Sequence, residues 1–188
     1  MKFPAFPVLF PNELILRRAQ ELARQIHVAT APEPPMLVAV IEGARPFARL
    51  LQKLLPGSLP VHEVRAQSYA GTQSSGKVTI TTGADLPVRG RHVLLVEDIV
   101  DTGRTIAALQ EHFLQKGAQS CRVASLLSKP SRRVVPVTID FLGFEIPDEF
   151  VLGFGMDLDG RYRELPDVVV YDAAIERAFL QRAATASQ

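Results

Sequence analysis

The stretch HVLLVEDIVDTGRT (92–105) leaves this chain few folds to choose from. Its opening HVLLVE is a short apolar run of the kind that forms a strand buried on both faces. Asp-Thr-Gly-Arg-Thr then leads into a helical pattern over 103–116, with Ile106, Leu109, Phe113 and Leu114 on one face and Gly117 placed to end it. Two more apolar runs, MLVAVI (36–41) and CRVASLLS (121–128), read as further buried strands. A helical segment at 45–55 follows the first of them, and an amphipathic helix over 13–26 precedes it. A strand at 61–69, a polar segment at 70–76 and an alternating strand at 77–82 complete a hairpin. Shorter strands are expected near 138–143, 150–154 and 167–171, and a last helix from about 172 to 183. Alternating strands and helices around buried β runs predict an α/β fold, with a mostly parallel central sheet flanked by helices.

Composition excludes several classes of function. The chain has 188 residues, 47% of them hydrophobic, enough for one domain with a substantial core. No apolar run approaches the roughly 20 residues of a membrane span. The amino-terminal MKFPAFPVLFPNE lacks the long apolar centre of a secretory signal, and its prolines suggest an extended arm lying on the domain. A cytoplasmic protein is the resulting expectation. Net charge is +1, which offers no general field for nucleic acid, so any bound anion must be held locally. Cys121, the single cysteine, falls in an apolar alternation and reads as a buried structural thiol. His27, His62, His92 and His112 show no metal-ligand spacing.

The chemistry concentrates at the end of the 92–97 strand. Ligands of open α/β sheets bind beyond the carboxyl ends of strands. A helix starting there offers unpaired backbone N–H groups and a positive dipole end. Gly103 permits close backbone approach, and Thr102 and Thr105 add hydroxyl donors, so the loop suits a phosphate monoester. Glu97 and Asp98 are expected to face the same crevice, placed to accept from vicinal ribose hydroxyls or to attract Mg²⁺. Asp101 sits on the loop itself as a proton acceptor. Asp98 and Asp101 could instead simply cap a helix, but a cap needs one acid and this segment supplies three.

The segment VLLVEDIVDTGRT resembles the phosphoribosyl pyrophosphate-binding signature of type I phosphoribosyltransferases. LLSKP (126–130), FLGFEIPDEFVLGFGMD (141–157) and RYRELP (161–166) resemble, in the same order, segments of the hypoxanthine–guanine members, and SYAGTQSSG (68–76) resembles their mobile loop. The likeness covers about 36 to 171. It implies one phosphoribosyltransferase domain over 1–188, with a core at about 36–140 and a small hood lobe formed by the chain ends, 1–12 and 143–188. It also implies transfer of the phosphoribosyl group of 5-phosphoribosyl 1-pyrophosphate to N9 of hypoxanthine or guanine.

Roles follow from that resemblance residue by residue. Asp101, Thr102, Gly103, Arg104 and Thr105 would hold the 5′-phosphate. Glu97 and Asp98 would face the ribose and a Mg²⁺, and Asp157 a second Mg²⁺. Asp101 would take the purine N7 proton, Lys129 would donate to the 6-oxo group, and Arg163 would meet the pyrophosphate; these three form the expected catalytic set. Phe150 would stack on the base, with Val151 and Asp157 beside it. Gly43 and Ala44 would bind pyrophosphate, and Ser68 and Tyr69 would close over the reaction. The chain departs from the family at Glu42, where a lysine commonly precedes the glycine of a pyrophosphate turn that is often cis. Unless it turns away or meets Mg²⁺ or Arg45, Glu42 sets a negative charge beside a polyanion. The partners implied are small molecules, with no nucleic acid or membrane, in a homodimer or homotetramer. Two alternatives stay open: the same chemistry on xanthine or another base, and a non-catalytic sensor of phosphoribosyl pyrophosphate.

Overall fold

A computed structural model describes residues 3–57, 59–68 and 78–185. Six strands form the central sheet: β2 (Met36–Val40), β3 (Val61–Ser68), β4 (Val78–Thr82), β5 (His92–Val100), β6 (Ser120–Ser128) and β7 (Phe141–Glu145). Their order is β4-β3-β2-β5-β6-β7, with only β4 antiparallel to its neighbour. The sheet is therefore mixed but mostly parallel, as the apolar runs predicted.

Strand alternation sorts the core into two layers. Leu37, Ala39, Leu94 and Val96 pack on one face with α1 (Asn12–Thr30) and α2 (Arg45–Leu54), through Ile15, Leu22, Ile26, Phe47 and Leu51. Val38, Val93, Leu95 and Val123 pack on the other face with Ile106, Leu109 and Phe113 of α3 (Arg104–Gln115). Each large side chain so buried contributes about 1.5–3 kcal/mol. The order in which strands join the sheet reverses between the parallel neighbours β2 and β5, which makes their carboxyl ends the switch point where ligands of such sheets bind.

The segments expected to form the hood contain a three-stranded antiparallel sheet of β1 (Val8–Phe10), β9 (Val168–Val170) and β8 (Val151–Leu152), followed by α4 (Ala173–Thr185). The expected extended arm thus ends in a paired strand. Asp167 Oδ1 accepts from Asn12 N at 2.8 Å, tying the start of α1 to the hood. The core sheet reaches Glu145, because β7 pairs with β6 up to the Ser128–Glu145 register. Arg18 of α1 donates to the edge carbonyls of Leu142 (2.7 Å) and Gly143 (3.0 Å). Among the described residues, no helix is long and apolar enough to cross a membrane.

Candidate active site

β5 does not stop at Glu97. It stays paired with β6 through Glu97–Ser125, Ile99–Leu127 and Val100–Ser128, so both acids lie inside the strand. Their side chains nonetheless stay in hydrogen-bond contact, at the border between two adjoining hollows. Glu97 lines a small hollow formed with Ile99 to Gly103, Thr105 and Ile106, whereas Asp98 lines a wider cleft. Burial pushes the Glu97 carboxyl well above the usual carboxylate range, and the neighbouring Asp98 charge adds to the effect. Its Oε2 is buried without a hydrogen-bond partner among the described residues. Burial also raises Asp98, and hydrogen bonds from the Glu97 side chain and the Ile99 amide (2.9 Å) moderate the shift.

The loop after β5 is braced from below. Gly103, at φ 84°, precedes α3 with no side-chain cap, so neither Asp98 nor Asp101 serves as a helix cap. A Cβ on Gly103 would strike the Val135 carbonyl, so glycine is needed for approach as well as for φ. The Val134 and Val135 amides both donate to Thr102 O at 3.0 Å. Arg133 donates to Asp101 O (3.1 Å), Val100 O (3.2 Å) and Ser128 Oγ (2.8 Å). Sequence reasoning missed Arg133; its position four residues after Lys129 was the only signal.

Asp101 lines both the small hollow and the wide cleft. Arg132 Nε lies 2.8 Å from Asp101 Oδ1 as an ion pair, yet that oxygen receives no well-directed hydrogen bond. The wide cleft is also lined by Lys129, Arg132, Phe150, Val151, Met156 and Asp157, and holds about 330 Å³. That is the small end of the ligand-pocket range of about 300–1,000 Å³. Lys129 is 7% exposed and its Nζ is 3.7 Å from Asp148 Oδ1. Phe150 is half exposed, and Val151 is buried. Arg163 donates to Gly155 O (2.8 Å) and pairs with Asp157 Oδ1 (2.9 Å), while Asp157 Oδ2 accepts from Gly160 N (2.5 Å).

Opposite lies the turn after β2, where the Ile41–Glu42 peptide is cis. A Cβ on Gly43 would occupy the place of the Asp98 carboxylate, so the turn and β5 meet there. The Ala44 amide points back to Val40 O at 3.3 Å. Glu42 turns sideways to Arg45 and Arg65, and Arg45 also grips Glu63 through two hydrogen bonds of 2.6 and 2.9 Å. Arg45 was foreseen as a partner; Arg65, distant in sequence, was not. Ser68 ends β3 opposite Val78, and Tyr69 lies outside the described residues.

Among the described residues no three potential metal ligands cluster. Mg²⁺ needs fewer: one or two carboxylates, with water and substrate phosphate oxygens completing the shell. The unpartnered Glu97 Oε2 and the cleft-lining Asp98 and Asp157 fit that requirement. A separate hollow at the amino ends of the strands, lined by Pro32, His92, Ser120 and Arg122, has no paired carboxylates or buried amine.

Residues 9–159 match the phosphoribosyl transferase domain. A hypoxanthine-guanine phosphoribosyltransferase from Streptococcus thermophilus is 40% identical over 164 residues, covering 87% of this chain and 91% of that protein. The crystal structure of a hypoxanthine-guanine phosphoribosyltransferase from Bacillus anthracis superposes with a TM-score of 0.82 at 33% identity, covering 88% of this chain and 98% of that one. The hypoxanthine phosphoribosyltransferase of Trypanosoma cruzi, solved with the product IMP, gives 0.80 at 33% identity, covering 93% and 97%. The chain belongs to the phosphoribosyl transferase domain family, among the hypoxanthine-guanine phosphoribosyltransferases.

Proposed function

We infer that this protein is a purine-salvage enzyme that transfers the phosphoribosyl group of 5-phosphoribosyl 1-pyrophosphate to N9 of hypoxanthine or guanine, releasing IMP or GMP and pyrophosphate. One observation supports it best: Asp101 borders both the anion-sized hollow at the start of α3 and the cleft that holds Lys129 and Phe150. A proton acceptor there lies between a sugar phosphate on one side and a base on the other.

In this reading the 5′-phosphate sits on the loop 101–105, against the N–H groups at the start of α3 and the Thr102 and Thr105 hydroxyls. Glu97 and Asp98 orient the ribose. The base enters the wide cleft, stacks on Phe150 and lies beside Val151. Lys129, a donor only, meets its 6-oxo oxygen and rejects the amino group of adenine. As N9 bonds to C1′ and the C1′–pyrophosphate bond breaks, Asp101 takes the N7 proton. Pyrophosphate leaves toward Gly43, Ala44 and Arg163, where cationic and N–H donors stabilise its developing charge. Mg²⁺ held by Glu97, Asp98 and Asp157 together with substrate oxygens would neutralise the donor's phosphates. Ser68 and Tyr69 are proposed to cover the site and exclude water.

The same proposal treats 1–188 as one catalytic domain in a cytoplasmic homodimer or homotetramer. A single cysteine suits a reducing compartment. The test is steady-state assay of the purified protein with Mg²⁺, donor and a panel of hypoxanthine, guanine, xanthine, adenine and uracil. Nucleotide from hypoxanthine or guanine is expected. Product from another base alone would reassign the acceptor, and no product from any base would sink the enzyme reading.

A further inference from the structure

Besides the buried carboxyls of Glu97 and Asp98, Lys129 and Glu176 are the charged residues with least exposed surface among the described residues, each 7% exposed. Lys129 has a role at the base; Glu176 lies on α4, outside the machinery so far described. A buried carboxylate carries a desolvation penalty that well-packed apolar residues would avoid, so its retention asks for a reason.

Its contacts supply one. Glu176 Oε1 accepts from the Tyr162 hydroxyl at 2.6 Å and pairs with Arg161 Nη1 at 2.8 Å, and Oε2 accepts from the Tyr171 hydroxyl at 2.8 Å. Phe6 packs against both tyrosine rings, with centroids 5.5 and 5.9 Å away. The α4 end is itself fixed, because Asp172 Oδ1 accepts from Ala174 N and Ile175 N. Each tyrosine then leads to the active site. Tyr171 donates its amide to Phe150 O at 2.8 Å and sets its ring edge-on to Phe150 at 5.7 Å and 75°. Phe150 is 51% exposed even with this contact, so its ring depends on Tyr171 for packing on that side. Tyr162 holds a left-handed backbone, φ 75°, between Arg161, which turns to Glu176, and Arg163, which turns to Asp157 and Gly155.

We propose that Glu176 is a positioning residue: its carboxylate pins Tyr171 and Tyr162, and through them holds the Phe150 ring over the base cleft and aims Arg163 at the pyrophosphate side. The Tyr162 and Tyr171 hydroxyls hold the Glu176 carboxyl below its usual range, so it stays ionised as their acceptor. Burial, reinforced by Glu176, pushes Tyr162 up to about 12, so it stays a donor.

The proposal rests on the roles given to Phe150 and Arg163 above, and its test separates the two. Kinetics on the whole protein compare Tyr171→Phe, Tyr162→Phe, Glu176→Ala and Glu176→Gln, with melting temperatures alongside. Tyr171→Phe is expected to raise KM for hypoxanthine about three- to tenfold, the scale of one net hydrogen bond, with KM for the donor and kcat nearly unchanged. Tyr162→Phe is expected to raise KM for the donor instead. Glu176→Ala should raise both, and Glu176→Gln, which keeps an acceptor, should recover part of the loss. If Glu176→Ala does not fold, the two single-hydroxyl deletions still decide. Lower melting temperatures with both KM values unchanged, or both values rising together in each tyrosine variant, would overturn the proposal. An unmodified protein with no transfer activity would overturn the functional reading instead.

Discussion

Replacing Lys129 with methionine should collapse the preference for an oxopurine over adenine. The Lys129 side chain is 9% exposed, and its 3.7 Å approach to Asp148 is too long for a hydrogen bond. Its donors are therefore available to a ligand in the cleft. A hydrogen bond from a charged donor to a carbonyl contributes about 1.5–3 kcal/mol, which is about 10- to 100-fold in kcat/KM. Adenine presents an amino donor to the same ammonium and gains nothing from it. Methionine fills a similar volume, and Asp148 keeps Arg132 at 3.2 Å, so the fold should be spared. The assay is kcat/KM for IMP and AMP formation in the wild type and in Lys129→Met, with melting temperatures measured in parallel. The hypoxanthine-to-adenine ratio should fall about 10- to 100-fold at nearly constant stability. A ratio that stays put in a folded variant would refute the reasoning and return Lys129 to a structural role.

Glu42→Gln removes a negative charge from the turn proposed to bind pyrophosphate and frees Arg65, so inhibition by pyrophosphate should strengthen about two- to tenfold; unchanged or weaker inhibition would count against that placement. Burial, and then Asp140, raise the Cys121 thiol to about 12, so at pH 8 it is neutral and should resist a disulfide reagent until the protein is denatured, with fast labelling of the native protein as the contrary result. Phe113→Ala deletes a fully buried ring of α3 and should cost about 3–5 kcal/mol in urea unfolding.

The three apolar runs at 36–41, 92–97 and 121–128 were legible because a strand buried on both faces needs no alternation to be recognised. The end of β5 was not: Ile99 and Val100 remain in the strand because β6 offers Leu127 and Ser128 as partners, and no local pattern encodes that pairing. β1 was hidden for a related reason. Pro4, Pro7 and Pro11 read as an extended arm, and its conversion to a strand depends on β9 near the other end of the chain. At the site, the acids and the glycine of 97–105 stood out in the sequence because three acids and a glycine at one strand end are more than a helix cap needs. Their supports did not. Arg133 beneath the loop, Arg65 against Glu42 and Glu176 behind the two tyrosines act across tertiary contacts, and as residue types they look like ordinary surface charges.

Asp101 is where phosphate binding and proton transfer are proposed to meet. Purified wild type, given Mg²⁺, 5-phosphoribosyl 1-pyrophosphate and hypoxanthine, should form IMP and pyrophosphate in equal amounts. Asp101→Asn should bind the donor as before and lose about 10²–10⁴ in kcat, the usual worth of a general base. An asparagine variant that turns over at the wild-type rate would contradict the claim that this loop both cradles the phosphate and moves the proton.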